Sequence, residues 1–132
     1  MPDGRPIRIL VVEDYLDTRE MYVEFLALNG YDVIAAEDGL EALRIAQALR
    51  PDVVVLDIAL PRMDGFSVLR RMRADPRLRE VPVLTLSASV EEGYEDSALK
   101  AGATKALRKP CLPDELLAAI RVVVPAHAPR VV

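Results

Sequence analysis

Cysteine and histidine are almost missing from this chain: Cys111 and His127 are the only ones among 132 residues. A lone cysteine excludes an internal disulfide and any Cys-rich metal centre, and a lone histidine excludes a His-cluster zinc site. No apolar run approaches the roughly 20 residues needed to cross a bilayer. The Met1–Arg8 start also lacks the apolar core of a signal peptide. A basic excess is missing too: 17 Lys and Arg stand against 21 Asp and Glu, for a net charge of −4. Direct DNA binding is therefore not expected, because it needs a basic face to neutralise phosphates. No repeat, low-complexity tract or internal linker interrupts the chain. What is present is 52% hydrophobic and 29% charged residues, enough to bury a core. The expectation is one domain of a reducing, cytoplasmic compartment, without membrane insertion.

Short apolar runs alternate with segments of helical spacing. The runs are 7–12 (IRILVV), 31–36, 53–56 (VVVL), 81–86 (VPVLTL) and a weak fifth, 104–108 (TKALR). Between them, Met21, Tyr22, Phe25, Leu26 and Leu28 recur at helical intervals before Gly30. Leu40, Leu43, Ala46 and Leu49 follow Asp38 and stop at Pro51. Phe66, Leu69 and Met72 mark a third helix ended by Asp75-Pro76. Residues 91–101 give an acidic fourth helix before Gly102, and Pro113 opens a fifth with Leu116, Leu117 and Ile120. Strands alternating with helices imply βαβ units and a doubly wound parallel α/β sheet. Uninterrupted apolar strands such as VVVL fit a sheet covered on both faces, and right-handed crossovers supply the helices.

In such a sheet every strand delivers its last residues to one edge, where ligands of open α/β folds bind. Strand one ends in Glu13-Asp14, strand three in Asp57, strand four in Ser87 and the fifth in Lys109. Singly, each has an ordinary explanation: Asp14 or Asp38 as a helix cap, Ser87 as a turn residue, Lys109 as a solvated lysine. Their convergence on one edge is what makes a site. Neighbouring strands lie about 4.8 Å apart, so the carboxylates would repel unless one protonates or a cation joins them. Oxygen ligands without His or Cys select a hard divalent ion, Mg²⁺ ahead of zinc or copper. Lys109 would neutralise a phosphoryl oxygen, Ser87 would hydrogen-bond another, and Asp57, alone after an apolar run, is the natural nucleophile.

These residues resemble the receiver domains of response regulators in two-component signalling. The likeness runs from Arg8 to Val124 and rests on ILVVED (9–14), VVVLDIALPRMDG (53–65), LSAS (86–89) and RKP (108–110). It implies a flavodoxin-like three-layer (βα)5 sandwich with strand order 2-1-3-4-5, over a receiver domain of residues 1–124. It makes Asp57 the acceptor of a phosphoryl group from a sensor histidine kinase or a histidine phosphotransfer protein. Asp57, Asp14, Glu13 and the Ala59 backbone carbonyl would hold Mg²⁺, with Mn²⁺ able to replace it. Lys109 and Ser87 would contact the phosphoryl group, and a cis bond before Pro110 would aim Lys109 inward. Gly65 reads either as a close-approach glycine or as an ordinary turn residue. With only the tail 125–132, read as flexible, after the fifth helix, the expectation is a stand-alone regulator whose signal passes to an unknown protein or onward as a relay. His127 in that tail is not expected to carry phosphate.

The departures bear on mechanism. Many receivers carry an aromatic residue in strand five that changes rotamer on activation; here it is Ala106, which has no rotamer to switch. Tyr94 of the fourth helix is a substitute, although a core or exposed tyrosine is the default. Cys111 reads as a small buried hydrophobe. Ala59 and Ser89 flank the expected route of attacking water and are both small, which predicts no unusually long-lived phosphoryl group. Arg70, Arg71, Arg73, Arg77 and Arg79 read as a solvated basic face, and Glu91, Glu92, Glu95 and Asp96 as a solvated acidic one. Three alternatives compete. A haloacid-dehalogenase-type hydrolase would need an acid where Ala59 stands. A flavodoxin-like cofactor binder would not place Glu13-Asp14 beside its phosphate. A pseudo-receiver that never takes phosphate would not keep every acceptor-site residue.

Overall fold

The computed structural model describes residues 4–89 and 91–124; the expectations for His127 and the tail 125–132 lie outside them. Ten elements alternate: β1 (Arg8–Val12), α1 (Leu16–Leu28), β2 (Asp32–Ala36), α2 (Gly39–Leu49), β3 (Val53–Asp57), α3 (Gly65–Ala74), β4 (Val83–Ser87), α4 (Tyr94–Ala101), β5 (Lys105–Arg108) and α5 (Pro113–Val123). The five strands form one parallel sheet in the order β2-β1-β3-β4-β5. This is the doubly wound architecture that the alternation predicts.

Side-chain alternation along the strands feeds two separate cores. Leu10, Val12, Val54 and Leu56 face α2, α3 and α4, where Leu69, Met72 and Ala98 meet them. Ile9, Val11, Val53 and Val55 face α1 and α5, against Tyr22, Leu26, Leu116 and Ile120. Each fully buried Leu or Ile contributes about 1.5–3 kcal/mol, so β3, buried along its whole length, anchors both layers. Cys111 is buried in the second core, as its size suggests.

Local chemistry sets the element ends. Asp38 accepts from the Glu41 N–H at the start of α2 and Asp64 from the Ser67 N–H at the start of α3, each satisfying a free donor of the first turn. Pro113 occupies the first turn of α5, and Glu115 reaches back to the Leu112 N–H. Asp14 does not cap α1; Tyr15 stands at that position without a side-chain bond.

Three expectations shift. Strand β4 begins at Val83, two residues late, because Pro82 has no N–H to give the sheet. Helix α4 begins at Tyr94 and not at residue 91: Gly93 precedes it with φ +91°, a left-handed conformation that glycine adopts freely. On α1 only Tyr22 and Leu26 are buried, while Met21 and Leu28 are exposed. Of the five apolar residues read in that helix, Tyr22 and Leu26 are buried and Phe25 packs partly buried beside them.

Candidate functional site

At the carboxyl edge of the sheet Glu13, Asp14 and Asp57 bring carboxylate oxygens within 4.8 Å of one another. The placement is a consequence of register. Val12 pairs with Leu56, so Glu13 and Asp57 leave adjacent strands at the same height. Glu13 and Asp57 are buried, 1% and 3% exposed, whereas Asp14 lies open to solvent. Lys109 enters from the β5 side and places Nζ 3.0 Å from Glu13 Oε1 and 3.0 Å from Asp57 Oδ2. Two buried carboxylates thus share one ammonium.

The electrostatics follow. Burial pushes the Glu13 carboxyl above its usual value and the charge on Asp57 adds to this, against the lowering effect of the Tyr15 N–H and of Lys109. For Lys109, burial alone would lower the ammonium, but its bonds to Asp57 and Glu13 outweigh it and the net direction is upward. The lysine stays charged. A donor set made only of oxygens, with more negative than positive charge, suits a hard divalent cation.

The surrounding backbone shapes the mouth. Ala59 donates its N–H to Asp57 Oδ1 at 3.2 Å and is itself exposed. Gly65 lies against the chain after Asp57: a Cβ there would stand 2.5 Å from the Asp57 carbonyl oxygen and 2.6 Å from Ile58 Cα, closer than atoms pack. Its N–H donates to the Ile58 carbonyl at 2.8 Å. The Lys109–Pro110 peptide is cis. Lys109 also donates its backbone N–H to the Ser87 carbonyl at 2.9 Å, which ties β5 to the end of β4. Ser87 is buried, and its hydroxyl accepts from the Ser89 N–H at 3.0 Å. A cleft of about 450 Å³ opens beside Lys109, lined on its apolar side by Met21, Tyr22, Pro110 and Leu112.

Position 106 carries no aromatic, and a tyrosine from another element packs in the core that Ala106 adjoins. Tyr94, the first residue of α4, is 6% exposed. Its hydroxyl lies 2.8 Å from Thr85 Oγ1 and donates to the Leu107 carbonyl at 2.9 Å. Thr85 is the register partner of Ala106, so the phenol occupies the surface beside the missing aromatic. It behaves as a core tyrosine.

Three features escaped the sequence. Arg73, read as part of a solvated face, is half-buried and donates to the carbonyls of Gly102, Leu78, Arg79 and Val81 at 2.8 to 3.3 Å. It joins the end of α3 to the turn after α4, and a Cβ on Gly102 would collide with its stem. Tyr22 donates its hydroxyl to the Cys111 carbonyl at 2.7 Å, bracing α1 against the loop after β5. Arg108 binds Glu95 and the loop after Ser87. A five-residue arginine run offers no signal as to which member turns inward. The correction for Arg73 is physical: a guanidinium with several donors gathers carbonyls that two separate segments, residues 78–81 and Gly102, bring together.

Among known families, the response regulator receiver domain model matches residues 9–121. The response regulator MprA of Mycobacterium sp. (strain KMS) is 41% identical over 124 residues, 94% of this chain and 53% of the relative. The chain therefore spans about half the length of the curated relatives it matches. The chemotaxis response regulator CheY4 of Vibrio cholerae superposes with a TM-score of 0.84 at 33% identity, over 89% of this chain and 98% of that one. The Francisella response regulator 1452 receiver domain does so with a TM-score of 0.84 at 30% identity, over 89% and 96%. With the strand order, the acid pocket and its lysine in place, these matches establish that the chain belongs to the response regulator receiver family.

Proposed function

We propose that Asp57 accepts a phosphoryl group from the phosphohistidine of a partner kinase or histidine phosphotransfer protein. The observation that carries this reading is a buried carboxylate held by a lysine ammonium 3.0 Å away, beside Glu13 and Asp14, at the end of a central strand. An Asp57 carboxylate oxygen attacks phosphorus, the bond to the donor imidazole breaks, and the imidazole nitrogen keeps the electron pair. The product is an acyl phosphate. Lys109, kept protonated by its two carboxylate partners, turns from Asp57 to the transferred oxygens. The Ser87 hydroxyl bonds another of them. Glu13, Asp14, Asp57 and the Ala59 carbonyl would hold Mg²⁺, or Mn²⁺ in its place. When bound, the ion neutralises charge gathered on the phosphoryl oxygens.

Ala59 and Ser89 at the mouth carry no bulk to exclude water, so the acyl phosphate is not unusually long-lived. The domain supports its own phosphorylation and dephosphorylation, and it signals by protein contact or by passing the group on. The apolar cleft beside Lys109 is where the donor's histidine-bearing segment would enter.

Incubation with acetyl phosphate and Mg²⁺ tests the reading. One phosphoryl group per chain is expected in the wild type, none after chelation of the metal and none in Asp57→Asn. Equal labelling of wild type and Asp57→Asn would overturn it.

A further inference from the structure

Arg108 ends β5 and Lys109 follows it, and their side chains hold different parts of the molecule. Lys109 holds Asp57. Arg108 donates to the carbonyls of Ser89 and Glu91, in the loop that follows Ser87, and takes Glu95 of α4 with two donors at 2.6 and 2.9 Å. Its guanidinium also lies 5.5 Å over the Tyr94 ring, within cation–π range. Arg108 is thus fixed on its own side by α4 while it grips the loop.

The loop has its own internal ties. Ser87 Oγ accepts from the Ser89 N–H, and Ser89 Oγ accepts from the Glu91 N–H at 3.1 Å. Residue 89 is therefore held at three points: its N–H by Ser87, its hydroxyl by the Glu91 N–H and its carbonyl by Arg108. Were phosphoryl capture at Asp57 to draw Ser87 toward the phosphoryl group, residue 89 would follow through its N–H and its carbonyl would leave Arg108. The two engagements compete for one short segment.

We propose that Arg108, anchored by Glu95 and Tyr94, is a positioning residue that holds the loop after Ser87 in its resting arrangement, so that phosphoryl capture at Asp57 and the Arg108 grip oppose each other. This deepens the reading of Asp57 as phosphoacceptor and rests on it. In this chain the coupling that an aromatic at position 106 would provide runs through a guanidinium on the neighbouring edge. By linkage, whatever the phosphoryl group does to the grip, the grip does to the phosphoryl group.

The test is a titration with beryllofluoride and Mg²⁺, a phosphoryl mimic, followed by backbone NMR of the full chain. Arg108→Ala is expected to bind the mimic more tightly than wild type, roughly three- to tenfold, the net worth of about one hydrogen bond. Glu95→Gln, which loosens the anchor without touching the loop, is expected to tighten binding less. The double variant should match Arg108→Ala alone, because Glu95 acts only through Arg108; a merely structural contribution of Glu95 would add. Unchanged or weaker binding in Arg108→Ala, or additive effects in the double variant, would overturn the proposal while leaving Asp57 as acceptor intact. Failure of the wild type itself to bind would overturn both, and Asp57→Asn serves as the non-binding reference.

Discussion

The acid pocket and the corner between α4 and β5 lie on neighbouring stretches of one sheet edge, yet they are built by opposite means. The pocket is charge brought to a point: three carboxylates, two of them buried, and one half-buried ammonium, delivered by the ends of β1, β3 and β5. The corner is packing with hydrogen bonds around it: a buried tyrosine over a small residue, with an exposed Arg108–Glu95 pair outside. Buried charge demands particular residues at particular strand ends, because each charge must meet its partner. A packed surface needs only that its volume be filled, and α4 supplies here what β5 lacks.

Perturbing the two regions should therefore give different signatures. The largest effect is expected from Lys109→Ala. Loss of the ammonium removes the group facing the transferred oxygens, and labelling by acetyl phosphate should slow by about 10²-fold, the usual cost of one preorganised electrostatic donor. If labelling is unaffected, charge does not govern the pocket. Away from the pocket, Arg73→Ala removes a donor shared by four carbonyls, of which Leu78 keeps the Val81 N–H, and should lower urea-unfolding stability by about 2–3 kcal/mol, with labelling by acetyl phosphate retained at low denaturant. A stability change within experimental scatter would mean that Arg73 is the solvated residue its sequence context suggests.

A finer test separates volume from identity. Ala106→Tyr places a second phenol where Tyr94 already lies and should destabilise by about 1–3 kcal/mol through overpacking. Combining it with Tyr94→Ala should recover part of the loss, since one ring then fills the space. Worse stability in the double variant than in either single one would show that Tyr94 does not occupy the place of the missing aromatic. Tyr94→Phe should show the smallest effect, about 1 kcal/mol, from loss of the bonds to Thr85 and Leu107.

The same contrast explains what could be read from the residues. Strand alternation was legible because parallel strands buried on both faces carry uninterrupted apolar runs such as 53–56, and the pocket because Glu13, Asp14, Asp57 and Ser87 follow apolar runs and Lys109 follows the weak fifth strand. The five helices were legible in number, but α4 lost its first turn to Gly93 and α1 two of its apolar positions to solvent. The corner was not legible. Whether Tyr94 is buried, which arginine of residues 70–79 turns inward, and that Arg108 reaches α4 all depend on distances between elements, which residue spacing within one element does not encode.

The account's central claim is that one particular carboxylate takes the phosphoryl group. Borohydride reduction of the labelled protein, followed by peptide mapping, locates it directly, because only an acyl phosphate is reduced to the corresponding alcohol. The account predicts a single converted residue, Asp57, in the peptide spanning β3. Conversion at Asp14, Glu13 or any other carboxylate, with Asp57 unchanged, would contradict it.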